Sequence, residues 1–343
     1  AAAWPAAMQS TLMPSGVDAD GQALLAWVRG DRSREGVSLR QRAHLLGDII
    51  DAEPVYVKGA QISLVNPGFT AFQTSIAART PMVYQAANDG MLHAFDAATG
   101  VERWAYVPSG ALASFPQLAA PLYSHRFIVD GTPTVGDVNF GGAWHTVLVG
   151  GLRGGGAGYY ALDITSPAAS GEGGVAAKVL WEFPNASTPA SVRNNLGLSF
   201  GKPVIVETTA AGWVVLVTSG YNNTAGDGRG HLYVLSIADG SVIADLVTTA
   251  GSAATPSGLA HVSAFTDNSR ASAVAKYAYG GDLLGNLWKF DLSGASAASW
   301  SVSQFAVMRD GTGNPQPIAA APELGNIDGK PLVSVGTGKL LGD

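Results

Sequence analysis

The side chains that most often carry chemistry are few in this sequence and lie far apart. The six histidines occur singly, with no pair four residues apart and no glutamate in the HExxH spacing of a zinc protease. Cysteine is absent, which excludes a thiolate metal site, a cysteine nucleophile and a disulfide framework. We therefore predict that the chain is not an enzyme.

One short motif has a known recognition role. Arg29, Gly30 and Asp31 form the tripeptide that many integrin ligands display, which makes them candidate partner-binding residues. The same three residues also fit a plain helix end, with glycine as the stop and a charge on either side.

A recurring hairpin contains the most regular aspartates. In Met91–Pro108 (MLHAFDAATGVERWAYVP), a short strand ends at Asp96, a Thr-Gly reversal follows, and a second strand carries Trp104. The strand frame returns at 159–163, 232–236 and 287–291. A carboxylate at the strand end can accept hydrogen bonds from the amides of the turn. We therefore predict that Asp96, Asp163 and Asp291 are structural residues and neither acids nor metal ligands.

Two further strand candidates precede each copy of the hairpin, so the repeat has four strands. That is the blade of a β-propeller, and irregular intervals between copies fit fixed strands joined by variable loops. The sequence thus predicts an all-β fold, a β-propeller of four-stranded antiparallel blades. The blades are expected at 52–108, 131–184, 199–249 and 258–308, and a partial blade with strands at 318–324 and 331–341 follows.

The two ends of the chain differ from the repeats. Residues 1–50 are expected to form a lead-in with short helices, one of them at 21–29, and residues 51–343 the propeller domain. Because a propeller closes on itself to hide its sheet edges, the partial blade poses a question. Either the C-terminal part of the last blade is missing, or the lead-in supplies strands that close the ring.

Composition narrows the possible partners. The 20 basic and 26 acidic residues give a net charge of −6, which argues against a nucleic-acid surface, since that needs clustered Lys and Arg. Neither a signal peptide nor a run of about 20 apolar residues is visible, so no membrane-spanning segment is expected.

Six separated blocks resemble one known family. They occur in the family's order: RGDRSREG…LRQRAHLLGDIIDAEPVYV, VYQAANDGMLHAFDAATGVERWAYVP, DGTPTVGDVNFGGAWHTVLVGGLRGGGAGYYALDIT, LVTSGYNN, YGGDLLGNLWKFDLSG and SVGTGKLLGD. Together these blocks resemble the C-terminal β-propeller domain of the PilY/PilC family of type IV pilus tip-associated adhesins.

The resemblance implies a function and a location. It suggests a non-enzymatic protein of a Gram-negative bacterium that supports pilus assembly, adhesion and twitching motility. Its expected partners are minor pilins, and a host or surface receptor is a further one. The protein would be exported through the periplasm to the pilus tip and cell surface.

The resemblance also raises the question of calcium. Family propellers often have a loop of alternating aspartates before the GDL-x-GNLW block, which supplies the oxygen ligands that a hard cation needs. Here that loop has one carboxylate, and Arg270 and Lys276 add positive charge. The remaining candidate ligands are Asp267, Asn268 and Asp282. We expect no cofactor, with calcium left open.

Two other functions fit parts of the sequence. The AFDAATG…W hairpin also occurs in quinoprotein dehydrogenases, although these need eight regular blades, a calcium ion and a catalytic aspartate. A carbohydrate- or receptor-binding propeller would use exposed aromatic rings such as Tyr123 and Tyr221. Five tryptophans at strand positions are instead expected to pack between blades: Trp104, Trp181, Trp213, Trp288 and Trp300.

The partial blade provides the predicted contact. Its last strand would have an open edge, which another chain can extend through backbone hydrogen bonds. Val333 and Val335 lie on that strand and are the candidate partner-binding residues.

Overall fold

Antiparallel sheets of four strands make up most of the computed structural model, which describes residues 18–266, 268 and 271–339. The first blade pairs its strands in chain order: β1 Val55–Val57, β2 Met82–Ala87, β3 Met91–Asp96 and β4 Glu102–Tyr106. The second blade does the same: β5 Thr134–Phe140, β6 Ala143–Gly151, β7 Tyr159–Asp163 and β8 Val179–Phe183.

The next two blades repeat the pattern, and a hairpin follows them. The third blade contains β9 Val204–Thr208, β10 Gly212–Thr218, β11 Arg229–Ser236 and β12 Val242–Gly251. The fourth contains β13 Val262–Thr266, β14 Ala275–Gly281, β15 Asn286–Asp291 and β16 Ser301–Val307. The hairpin pairs β17 Glu323–Ile327 with β18 Lys330–Ser334. These sheets confirm the predicted all-β propeller of four-stranded antiparallel blades.

The last hairpin is placed differently from the prediction. Strands were expected at 318–324 and 331–341, but Ile318 makes only an isolated bridge to Gly338. The cause is the turn, since Asp328 and Gly329 both have positive φ, 51° and 77°. Two such residues form the tight reversal that matches the twist of a hairpin, so both strands are short and start from this turn.

Helices are short and lie outside the sheets. The lead-in contains α1, Asp18–Val28, which agrees with the helix predicted at 21–29, whereas 39–50 is not helical. The other α-helices were not predicted: α2 Phe69–Ile76, α3 Phe115–Leu118, α4 Gly171–Ala176 and α5 Ala190–Asn195. Short 3₁₀ helices span Ser109–Ser114 and Ala297–Ser299.

The blades are held together by apolar side chains between neighbouring sheets. The first strands of successive sheets contact each other, β5 with β9, β9 with β13 and β13 with β17, so they form the inner layer. The five tryptophans expected between blades are all buried: Trp104, Trp181, Trp213, Trp288 and Trp300. Two of them also reach the next blade through the indole N–H. Trp104 donates to the carbonyl of Pro167 at 2.9 Å, and Trp181 to that of Ile237 at 2.9 Å.

Candidate partner-binding site

The hairpin β17–β18 is fastened to the fourth blade by its inner face. Val333 and Val335 are partly buried and pack with Leu324 against a cluster that contains Tyr279 and Ile318. Val333 thus packs toward the blade while part of its side chain stays exposed, and Val335 lies one residue beyond the end of β18. Both side chains therefore help to fix the hairpin to the blade, and their role in partner binding stays a prediction.

Ile318 is the anchor of this contact. It is 2% exposed, and its amide donates to the carbonyl of Asp282 at 2.9 Å. A Cβ on Gly281 would overlap the Ile318 side chain, so only glycine lets the two segments approach this closely.

The outer edge of the hairpin is unpaired within the described residues. Among the strands that the structure describes, β18 pairs with β17 alone, so its other edge has no partner strand. Large apolar side chains lie exposed on and near the hairpin: Leu332 is 45% exposed, Ile327 59% and Phe305 55%. Unpaired backbone groups beside apolar side chains are the features that let a sheet accept an added strand.

The Arg29–Asp31 tripeptide lies at the end of α1. The helix ends at Val28, and Gly30 has φ of 103°. Arg29 pairs with Glu172 at 2.5 Å, and both side chains are largely exposed. An Asp31 carboxylate oxygen accepts a hydrogen bond from the amide of Ser33 at 2.7 Å, and this bond lowers the pKa of Asp31. The motif is thus engaged within the molecule at both charged positions.

A cavity of about 890 Å³ lies beside this tripeptide. Its walls come from α1, β4 and α4, and Arg29 and Gly30 are part of the lining. Buried Trp104 and Tyr106 contribute apolar surface, while His93 contributes a polar group. The tripeptide thus lies beside the first blade, whereas the hairpin packs against the fourth.

The candidate metal ligands do not form a cation site in the described part of the chain. Asp282 is fully buried, and its carboxylate accepts hydrogen bonds from the amides of Leu284 and Asn286, the Asn286 side chain and the Trp288 indole at 2.8 to 3.1 Å. Burial raises the pKa of Asp282. Asn268 is exposed, and Asp267 lies outside the described residues.

No group of three or more His, Cys, Asp or Glu among the described residues is arranged to hold a metal. Because protein donors already use both oxygens of Asp282, this residue does not fit the ligand role that a calcium loop would require.

The turn aspartates behave as predicted. Asp96 accepts from the amides of Ala98 and Thr99 at 3.0 and 3.2 Å. Asp163 accepts from the amide of Thr165 at 2.9 Å, and Asp291 accepts similarly within its own turn. Each carboxylate therefore closes the reversal after its strand.

The structure also brings together groups that sequence reasoning missed. His93 lies between Asp89 and Glu102, and His231 lies between Asp227 and Asp245. The signal in the sequence is an aspartate four residues before each histidine.

Comparison with known proteins gives matches to one family over most of the chain. A sequence profile of the PilY1 β-propeller domain matches residues 46–343. The type IV pilus biogenesis factor PilY1 of Pseudomonas aeruginosa strain PAK is 40% identical over 286 residues, which are 80% of this chain and 23% of that protein. A PilY1 homolog of Xylella fastidiosa strain Temecula1 is 35% identical over 325 residues, 87% of this chain and 21% of the relative.

A solved structure agrees with these matches. The crystal structure of the Pseudomonas aeruginosa PilY1 C-terminal domain superposes with a TM-score of 0.67 at 34% identity, covering 83% of this chain and 59% of that one. The chain spans about a quarter of the length of the curated relatives it matches. Within the described residues, no helix is long and apolar enough to cross a membrane.

Proposed function

Because this chain belongs to the PilY1 β-propeller family, we propose that it is a non-enzymatic module of type IV pilus biogenesis that acts by binding other proteins. The relatives that are similar to it in sequence are type IV pilus biogenesis factors, which supports a role related to the pilus. The propeller would present binding surfaces on a rigid frame, and its buried polar side chains would serve the fold.

The open edge of β18 is the observation that carries the binding proposal. Lys330–Ser334 is paired on one side only among the described strands, and Leu332 and Ile327 expose apolar surface on the same hairpin. An extended segment of a partner would pair with this edge through its backbone, and apolar side chains of the partner would cover Leu332. Pro331 removes one donor from the edge, so the pairing would depend on the residues that follow it.

Minor pilins are the proposed partners, and the pilus tip is the proposed location. The protein would pass through the periplasm and reach the cell surface with the pilus. Its proposed contributions are pilus assembly, adhesion and twitching motility, and contact with a host or surface receptor would be an additional activity. These finer assignments are supported by the family resemblance of the six sequence blocks.

A binding experiment with purified proteins tests the proposal. The chain should co-migrate with minor pilins of the same organism. Replacing exposed Leu332 by lysine should weaken this binding at least about tenfold, because an unpaired charge would be placed in an apolar contact. Val335→Pro should also weaken the binding, because it removes the backbone donor next to β18.

A matched control separates this contact from general effects of charge. Val37 is 81% exposed and lies in the lead-in, so Val37→Lys makes a similar chemical change away from the hairpin. If both variants, Leu332→Lys and Val37→Lys, bind minor pilins as well as the unmodified chain does, the strand-addition mechanism is wrong. If the unmodified chain binds no minor pilin, the proposed partner is wrong.

A further inference from the structure

Both ring nitrogens of His93 face carboxylates. Nδ1 lies 2.8 Å from a Glu102 oxygen, and Nε2 lies 3.1 Å from each oxygen of Asp89. His93 is 4% exposed, so water has little access to the ring.

His231 has the same arrangement in the third blade. Its Nδ1 lies 2.9 and 3.1 Å from the oxygens of Asp245, and its Nε2 lies 3.1 Å from Asp227. The residue is 2% exposed.

These contacts define the protonation state of the imidazoles. An ionised carboxylate only accepts hydrogen bonds, and a neutral imidazole has a single N–H. Both nitrogens can therefore donate only when the ring is the imidazolium. Burial would lower the pKa of His93, but the hydrogen bonds and charges of Asp89 and Glu102 outweigh burial and raise the pKa to about 9. Asp245 and Asp227 likewise outweigh burial and raise the pKa of His231.

Each histidine connects three parts of its blade. The first carboxylate lies four residues before the histidine, in the connection that leads into the third strand, and the second lies on the fourth strand. The protonated ring therefore ties the outermost strand to the third strand and to the preceding loop. We call these groups the blade-one latch (Asp89, His93, Glu102) and the blade-three latch (Asp227, His231, Asp245).

The fourth blade has a version without a histidine. The Asn286 side chain donates to Asp282 at 2.9 Å and accepts from Gln304 of β16 at 2.6 Å. The spacing of four residues and the link to the fourth strand are the same, but an amide replaces the imidazole. Blade four is thus an internal control that needs no bound proton at this position.

Other charges near the latches are fixed in pairs or lie at the surface. On β4, Arg103 pairs with Asp96 at 2.6 Å, and Arg29 and Glu172 line the same cavity as His93. Arg229 lies on β11 close to Asp227, and the Tyr233 ring stacks on His231 at 5.5 Å. The carboxylates alone touch the ring nitrogens of the two latches among the described residues.

We propose that the two latches are proton-operated devices that hold the outer strands β4 and β12 in place and release them when the imidazoles lose a proton. The latches should stabilise the fold at low pH and lose this effect as the pH rises. A histidine whose pKa is higher in the folded protein than in the unfolded chain stabilises the fold. This stabilisation has its full size below about pH 6.5, the pKa of histidine in the unfolded chain. For His93 this contribution is lost as the pH rises toward about 9.

Hydrogen exchange on the intact chain tests the proposal. Amide protection of β4, corrected for the intrinsic pH dependence of exchange, should fall at least about tenfold between pH 7 and pH 9.5, and protection of β12 should fall as well. Protection of β16 should stay unchanged, because Asn286 does not titrate. Equal behaviour of β4, β12 and β16 would overturn the proposal.

Variants and spectroscopy supply two independent checks. His231→Asn copies the arrangement of blade four, so β12 should lose its pH dependence while β4 keeps it. Should this variant fail to fold, ¹⁵N spectra of the imidazoles in the unmodified chain decide, since both nitrogens of His93 and His231 should carry protons at pH 7. A neutral imidazole at pH 7 in either latch would contradict the mechanism for that blade.

Discussion

At the scale of single residues, the polar side chains of this propeller mainly stabilise turns and strand pairs. The role of Asp96, Asp163 and Asp291 could be predicted from sequence, because a turn carboxylate binds amides two or three residues away. The latches could not be predicted, because Glu102 and Asp245 reach the histidines across a strand pair. Local spacing indicates only the first carboxylate of each latch.

Asp163 allows a direct test of the turn role. Its carboxylate binds the amide of Thr165 and, at 2.8 Å, the ring of His145. Burial would raise the pKa of Asp163, but the bonds from Thr165 and His145 prevail and lower it. Asp163→Ala should lower the free energy of unfolding by about 1 kcal/mol, measured by urea denaturation. Asp163→Asn keeps an acceptor for Thr165 and should recover part of the loss; equal stability of all three proteins would refute the turn role.

At the scale of elements, strands were predicted far better than helices. The strands could be predicted because each hairpin has alternating apolar residues and a glycine-containing turn, and both are visible in the sequence. The helix α2 has eight residues, and α4 and α5 have six each and lie in segments rich in Ser, Ala, Gly and Asn. A segment that short shows little helical periodicity, so its conformation depends on the surrounding contacts.

The docking of α1 depends on stacked cations and rings. The Arg40 guanidinium lies 4.1 Å from the centre of the Tyr123 ring and 5.6 Å from that of Trp27, and its Nε donates to the Leu118 carbonyl at 2.8 Å. Arg40→Ala should cost about 1 kcal/mol and speed hydrogen exchange in α1. Arg126→Ala, which changes an exposed arginine of the adjacent loop, serves as the control and should leave α1 unaffected.

The contact of Gly281 with Ile318 should decide whether the hairpin stays attached. Gly281→Ala would push Ile318 away, so β17 and β18 should exchange faster with solvent and unfolding should occur at lower urea. Adding Ile318→Ala should restore part of the attachment, because the smaller side chain makes room. Gly311→Ala has open space at the new Cβ and is the matched control. Unaltered exchange in Gly281→Ala would show that the close approach is not required.

At the scale of the whole molecule, the four blades and the hairpin form a series of packed sheets, each joined to the next by an apolar cluster. The repeat predicted this architecture, and the order of six sequence blocks predicted the family. The binding partner could not be predicted in the same way, because it depends on surface side chains and open edges that the repeat does not specify. Val333 illustrates the limit, since the repeat predicted its strand but not that its side chain packs against the fourth blade.

Site-specific crosslinking tests the central claim most directly. A photoreactive residue placed at Leu332, on the open edge of β18, should crosslink to a minor pilin in cells that assemble pili, and mass spectrometry of the product identifies the partner. The same residue placed at Val37 should give no such product. A minor pilin captured from Leu332 alone is the predicted result; no pilin at Leu332, or equal capture from both positions, would contradict the proposal that the chain acts in pilus biogenesis through this edge.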